Sequence, residues 1–267
     1  VSNSTKIETA LERMNRQMRI KPPKWVHSDG AANDVALEVL KHGPLSRSDV
    51  ARRLSLSPGS LTRLSTPMIE TGLLVEVGEH FDGRVGRPSQ LIDIVPASQH
   101  FIGMKLTANS IIGVTTDLRG KVLASAAAGL KTREPDEVVA AIAALAEQLA
   151  GSTPSVRAIG IGIGARLDAS GTVISAPFLN WSDVPLAPMV EKASGLPAIV
   201  ENDLIAFTEY EHWFGAGRTL STFAVVTIGA GVGYGLVAND AIVSNADHGI
   251  GLVGHWPLDP FGAVCSE

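Results

Sequence analysis

The chain of 267 residues has room for one large or two ordinary domains, and 45% hydrophobic residues suffice for a sizeable buried core. No window approaches the ~18 uncharged apolar residues of a membrane span, and the first 25 residues carry charges where a secretory signal needs an apolar run, so a cytoplasmic protein with no membrane partner is expected. The single cysteine, Cys265, excludes an internal disulfide framework and suits a reducing compartment.

The net charge of −5 conceals a change of sign along the chain. Residues 1–100 hold 13 Lys and Arg against 11 Asp and Glu, whereas residues 101–267 hold 9 against 16. Within the basic part, residues 1–24 carry 6 basic and 2 acidic side chains, so residues 1–30 read as an arm able to lie near phosphates or as a solvated terminus. Pro96 and the polar residues after it mark a boundary near 96–101 and predict two domains, 31–96 and 101–267.

The first domain is helical by period. Asp34 is the expected cap of a first helix, with Val35, Leu37, Val39 and Leu40 on its apolar face and His42, Gly43 and Pro44 ending it. Ser46, followed three residues later by Asp49, opens a second helix whose core face is Val50 and Leu54. Ser57 caps a third with Pro58 at its first position; Leu61, Leu64 and Met68 recur at helical spacing, and Gly72 is the natural stop. Pro67 removes one backbone bond inside that helix and predicts a kink. Two strand-like runs at 73–77 and 91–95 flank a Gly- and Arg-containing loop at 78–88.

Three short helices followed by a hairpin read as a winged helix-turn-helix. The third helix is expected to expose Gly59, Ser60, Thr62, Arg63 and Ser65, small donors plus a forked guanidinium suited to a major groove. Arg63 is the best candidate for base contact, Ser57 belongs to the same surface, and Arg84 and Arg87 at the wing tip suit phosphates or a minor groove.

The second domain reads as glycine-rich α/β. Strands at 101–106, 111–116 and 122–128 open it as an antiparallel meander. An Ala-rich helix at 134–150 with Val138, Ile142, Leu145 and Leu149 on one face leads to a strand at 156–163, expected to be buried on both sides. Glu201, Asn202 and Asp203 stand where a strand at 197–200 meets a helix at 204–214, and strand ends of this kind collect ligand-binding groups. The glycines at 229, 231 and 233 form a turn that serves as a hairpin or cradles an anion.

Taken together, these motifs resemble the ROK family of repressors and sugar kinases. The likeness rests on the helix-turn-helix with Gly86, Arg87 and Pro88 in the wing, the Ile-Gly-Ile-Gly-Ile-Gly-Ala run at 159–165, Gly171, and the Ala-Pro-Phe-Leu-Asn-Trp run at 176–181. Glu201, Asn202, Asp203, Gly229, Gly231, Gly233, Gly254 and His255 complete it. The resemblance implies an actin-like (ribonuclease H-like) sensor domain at 101–267, incomplete at its C-terminal end, in a chain that continues further in relatives. Asp203 matches the base that in the kinases accepts a proton from the sugar hydroxyl, Asn202 a hydroxyl ligand, and His255 a histidine that contacts sugar and zinc.

The departures carry as much information. The kinases open this domain with an Asp-x-Gly-x-Thr turn that holds ATP phosphates and metal, and Lys105, Thr107 and Asn109 stand at the matching positions here. A missing carboxylate and a missing glycine argue against phosphoryl transfer. Ile205 replaces a common Asn, and Leu252 replaces a Glu of the sugar pocket, so the effector is altered or the pocket degenerate. Of the family's zinc-binding Cys-rich run only Cys265 is in register, with Glu267 where a second Cys is expected, so zinc at His255 and Cys265 belongs to the complete protein if to any.

The expected function is a DNA-binding regulator, a homodimer or higher homo-oligomer, that represses carbohydrate genes and binds double-stranded operator DNA and a sugar effector. An ATP-dependent sugar kinase, and a regulator whose degenerate pocket binds a protein partner, stand as the alternatives.

Overall fold

The structure is a computed structural model that describes residues 30–80, 89–168, 170–229 and 231–243. Helix α1 (Gly30–His42) buries Ala32, Val35 and Val39, which recur at helical spacing. Asp34 therefore lies inside α1 rather than at its cap, because the Gly-Ala-Ala-Asn stretch is already helical and Ala32 contributes to the core. Leu37 points off that face and is 37% exposed. The helix stops at Gly43, where an added Cβ would meet the Val39 carbonyl.

A short strand β1 (Leu45–Ser46) precedes α2 (Arg47–Arg53) and α3 (Pro58–Glu70). Local capping dictates both helix starts. Ser46 Oγ accepts from Asp49 N–H at 3.1 Å, and Ser57 Oγ accepts from Ser60 N–H at 3.1 Å with Pro58 in the first turn. The helix runs on through Pro67 as one element; Arg63 and Pro67 are both exposed residues, so water can serve the Arg63 carbonyl that the proline leaves without a partner. Gly72, at φ +75°, turns the chain out of α3.

Strands β2 (Leu74–His80) and β3 (Ser89–Ile94) pair antiparallel, and β1 adds to the other edge of β3, giving the order β1-β3-β2. The pairing slips at Gly78, whose φ of +59° accommodates the bulge. Val35, Val39, Val50, Leu61, Met68, Leu74 and Ile92 close one core beneath the three helices.

After a single 3-10 turn at Pro96–Ser98, β4 (His100–Leu106), β5 (Ser110–Asp117) and β6 (Val122–Gly129) form the expected meander. Helix α4 (Pro135–Gly151) then crosses the sheet, and β7 (Val156–Ile163) pairs parallel to β4. Strands β8 (Arg166–Leu167), β9 (Val173–Ala176) and β10 (Trp181–Val184) make a small antiparallel sheet. Helix α5 (Leu186–Ser194) returns the chain to β11 (Ala198–Asn202), parallel to β7, so the main sheet has the order β11-β7-β4-β5-β6.

The face of α4 bearing Val138, Ile142, Leu145 and Leu149 is buried against Ile102, Ile111, Ile159 and Ile163, each such side chain contributing about 1.5–3 kcal/mol. Strand β7 is not buried on both sides among the described residues. Its isoleucines are buried in the core with α4 and α5, whereas Gly160 and Gly162 alternate onto the other, less buried face. Helix α6 (Asp203–Trp213) follows β11 directly, and β12 (Phe223–Ile228), β13 (Val232–Ala238) and β14 (Ala241–Ile242) form a further antiparallel sheet. No helix among the described residues is long and apolar enough to cross a membrane.

Candidate functional site

Two surfaces concentrate functional chemistry. On the first, α3 presents Ser57, Gly59, Thr62 and Arg63 to solvent with Ser60 half-buried beside them. Ser65 is not part of this face: it is 0% exposed and packs inward, because it falls four residues after Leu61 on the core stripe. The Ser57 and Ser60 hydroxyls lie 2.9 Å apart, and Thr62 Oγ1 donates to the Pro58 carbonyl at 3.0 Å, which fixes the hydroxyls while leaving acceptor lone pairs outward. Pro58 has no N–H and the Ser60 N–H is taken by Ser57, so the Gly59 amide and the helix dipole supply the positive potential of this first turn.

Charge pairing singles out one arginine. Arg47 pairs with Glu76 at 2.7 Å, Arg52 with Asp49 at 2.5 Å and Arg53 with Glu38 at 2.8 Å, whereas exposed Arg63 has no carboxylate partner among the described residues. Its fork is available to a ligand. Arg84 and Arg87 of the expected wing tip lie outside the described residues.

The second surface sits at the carboxyl ends of three adjacent parallel strands. Lys105 of β4, Gly162 of β7 and Glu201 of β11 stand in one row across the sheet. Asp203 opens α6 immediately beyond that row, and its carboxylate pairs with the Lys105 ammonium. The approach is at van der Waals distance: a Cβ on Gly162 would lie 3.5 Å from Asp203 Cα, and one on Gly164 3.6 Å from both Asp203 Oδ2 and the Phe178 ring. Burial pulls the Lys105 pKa below the ordinary lysine value.

Asn202, not Asp203, caps α6. Its Oδ1 accepts from Leu204 N–H at 3.0 Å and Ile205 N–H at 3.3 Å, while its Nδ2 donates to the Ala165 carbonyl at 3.1 Å. One amide N–H remains for a ligand. Thr107 is likewise occupied, its hydroxyl donating to the Ser110 carbonyl at 2.9 Å, so the β4–β5 turn with Asn109 is folded on itself. Gly229 and Gly231 lie between β12 and β13, with Gly229 N–H donating to the Gly231 carbonyl at 2.9 Å, whereas Gly233 stands within β13 opposite Thr227. Gly233 also lets β13 lie on α6, since a Cβ there would sit 2.9 Å from Leu204 Cδ2.

His255, Cys265, Glu267 and Leu252 lie outside the described residues, and among the described residues no group of three His, Cys, Asp or Glu side chains is placed to hold a metal. Sequence reasoning missed Phe178 and the Ala165 carbonyl, and it read Lys105 only as a loss. The Ile-Gly alternation of β7 was the available signal that another element comes close to the sheet there.

The model of the ROK family matches residues 101–266. A xylose repressor of Caldicellulosiruptor bescii is 27% identical over 234 residues, 85% of this chain and 58% of the relative. A crystal structure of a ROK family transcriptional regulator, a homologue of the E. coli Mlc protein, superposes with a TM-score of 0.73 at 25% identity over 88% of this chain and 61% of its own. A ROK family glucokinase from Streptomyces griseus, solved with glucose and AMPPNP, superposes with a TM-score of 0.50 at 30% identity over 54% of this chain and 46% of its own. The chain spans about three fifths of the length of the curated relatives it matches.

Proposed function

The chain belongs to the ROK family, and from that premise we propose that it is a DNA-binding transcriptional repressor of carbohydrate genes whose sugar-binding domain has lost kinase chemistry. Residues 31–96 are its winged helix-turn-helix, with α3 entering the major groove through Ser57, Gly59, Ser60, Thr62 and Arg63, and with Arg84 and Arg87 of the wing on the flanking backbone. The basic arm at 1–30 adds phosphate contacts. Residues 101–267 are an actin-like sensor in which Asp203, Asn202 and His255 bind the hydroxyls of a sugar. The protein works in the cytoplasm as a homodimer, and sugar binding alters the spacing of two winged helices and hence operator affinity. Zinc is a constituent of the complete protein only where further ligands join His255 and Cys265.

The observation that carries the reading against catalysis is the Lys105–Asp203 ion pair. An ammonium stands where a kinase needs a metal-organising carboxylate, and it holds the one carboxylate that would act as base. A hydroxyl-binding role needs neither group to turn over. The relatives' names support the regulatory reading: they are repressors, and xylose names the kind of effector.

Selection of genomic fragments by the full-length protein at physiological salt, followed by anisotropy titration against random duplex, tests this. Enrichment of a palindromic site bound about 10³-fold or more over random DNA is expected. Absence of enrichment together with Asp203-dependent transfer of phosphate from ATP to a sugar would replace the regulator by a kinase.

A further inference from the structure

The helix that begins at the sugar site ends against the DNA-binding unit. α6 runs from Asp203 to Trp213, 11 residues, a rod of about 16 Å. At its far end the Lys41 ammonium, in the last turn of α1, lies 3.9 Å from the centroid of the Trp213 ring. Arg218 Nε donates to the Lys41 carbonyl at 3.0 Å. One residue of α1 is thus held by its side chain and its backbone, in both cases by the end of α6 and the segment that follows.

A second path joins the same two bodies. Tyr210 of α6 packs under the β5–β6 turn, where a Cβ on Gly120 would lie 3.0 Å from Tyr210 Cε2. The neighbouring Arg119 pairs with Asp93 of β3, Leu118 N–H donates to the Pro96 carbonyl at 3.1 Å, and the Leu118 side chain packs on the core of the first unit. Between its ends α6 is braced: Thr208 is fully buried, and β13 lies so close that a Cβ on Gly235 would overlap its hydroxyl. A helix braced along its length shifts as a body.

Of the five buried side-chain polar atoms without a hydrogen-bond partner among the described residues, three lie near the junction, the other two being Arg47 Nε and Arg157 Nε. Trp213 Nε1, Arg119 Nε and Ser98 Oγ are buried without a hydrogen-bond partner among the described residues. All three flank the contact between the two units. A packed interface with unmet donors is one that a second arrangement can rival.

We propose that α6 is the coupling element of this protein: a hydroxyl ligand that draws Asp203 away from Lys105 displaces the helix, and the displacement is read out at the Lys41–Trp213 contact and the Leu118–Arg119 turn. Lys41 and Trp213 are positioning residues, remote from the sugar site and outside the α3 surface. The inference rests on the proposed function for the identity of its two ends, but not for the mechanical link between them.

Two measurements on the full-length protein test it. The first needs neither sugar nor DNA: hydrogen exchange followed by mass spectrometry compares the parent with Asp203→Asn, and with Lys105→Met should the first variant not fold. Breaking the ion pair is expected to accelerate exchange in the 36–44 segment about threefold or more, with the 61–77 segment unchanged. Unchanged exchange at 36–44 in a folded variant overturns the proposal.

The second titrates the selected operator fragment with and without saturating D-xylose or D-glucose. Lys41→Met is expected to leave sugar affinity within about twofold. The sugar-induced change in operator affinity should fall by about fivefold or more. A coupling factor equal to that of the parent overturns the proposal. If operator binding by the parent ignores both sugars, the sensor reading for them fails, and the exchange experiment still decides the mechanical link.

Discussion

Lys105 and Asp203 are 98 residues apart in the chain and meet as an ion pair where β4 ends and α6 begins. Their side chains remain 44% and 29% exposed, so solvent limits the contribution of the pair to stability to about 1 kcal/mol or less. In the proposed sensor its chief effect is chemical, because the ammonium occupies the acceptor that a sugar hydroxyl would use. Lys105→Met is therefore expected to shift the urea midpoint by no more than that amount, while calorimetric titration shows tighter binding of the cognate sugar.

Among the described arginines of its unit, Arg63 alone lacks a carboxylate partner among the described residues. Arg63→Ala is expected to cost about 1–3 kcal/mol on the selected operator and to relax one base preference. Random duplex should be affected much less. Anisotropy titrations on both DNAs separate the two terms, and an equal loss on both would leave Arg63 as a phosphate contact only.

Ser57 has two roles that substitutions can separate. As the cap of α3 it is expected to contribute about 1 kcal/mol, lost in Ser57→Ala. Ser57→Asp keeps the cap but places a carboxylate against the phosphate backbone. Thermal unfolding should detect only the alanine variant, whereas DNA titration should show the aspartate variant as the weaker binder.

Gly235→Ala tests how tightly α6 is seated. The new methyl group would overlap the buried Thr208 hydroxyl, and neither β13 nor the helix has free space on that side. A loss of about 1–3 kcal/mol in denaturant unfolding is expected. Gly59→Ala, which meets nothing within 4 Å, is the matched control.

His42 closes α1, and partial burial lowers its pKa, with Glu38 opposing and Arg53, Lys41 and Arg218 reinforcing the shift. A base with a depressed folded pKa binds its proton more readily when unfolded. Its neutral form therefore supports the fold above the ordinary histidine value of 6.5, and that support is lost as pH falls through the lowered folded value. His42→Gln is expected to flatten this part of the stability profile between pH 7 and 5, roughly the histidine range, with a small amplitude because the ring is largely exposed. Urea unfolding across that interval measures it.

What the amino-acid order determines here is whatever is settled within a few residues. The Ser46 and Ser57 caps, the stop at Gly72, the apolar face of α4 and the meander at its start all follow from neighbours three or four positions apart, and they stand where periodicity places them. The order of motifs likewise carries the family.

Tertiary structure alone decides which side chains remain available. Ser65 reads as a surface donor by type but falls on the stripe that packs inward; Asn202 reads as a ligand, and its amide is largely consumed in starting α6 and tying it to Ala165. Lys105 becomes the partner of Asp203 only because parallel β4 and β7 bring it beside β11, and Lys41 reaches Arg218 across 177 residues. Electrostatic and packing energies depend on distance in space and on the loss of solvent, and neither quantity is a function of spacing along the chain.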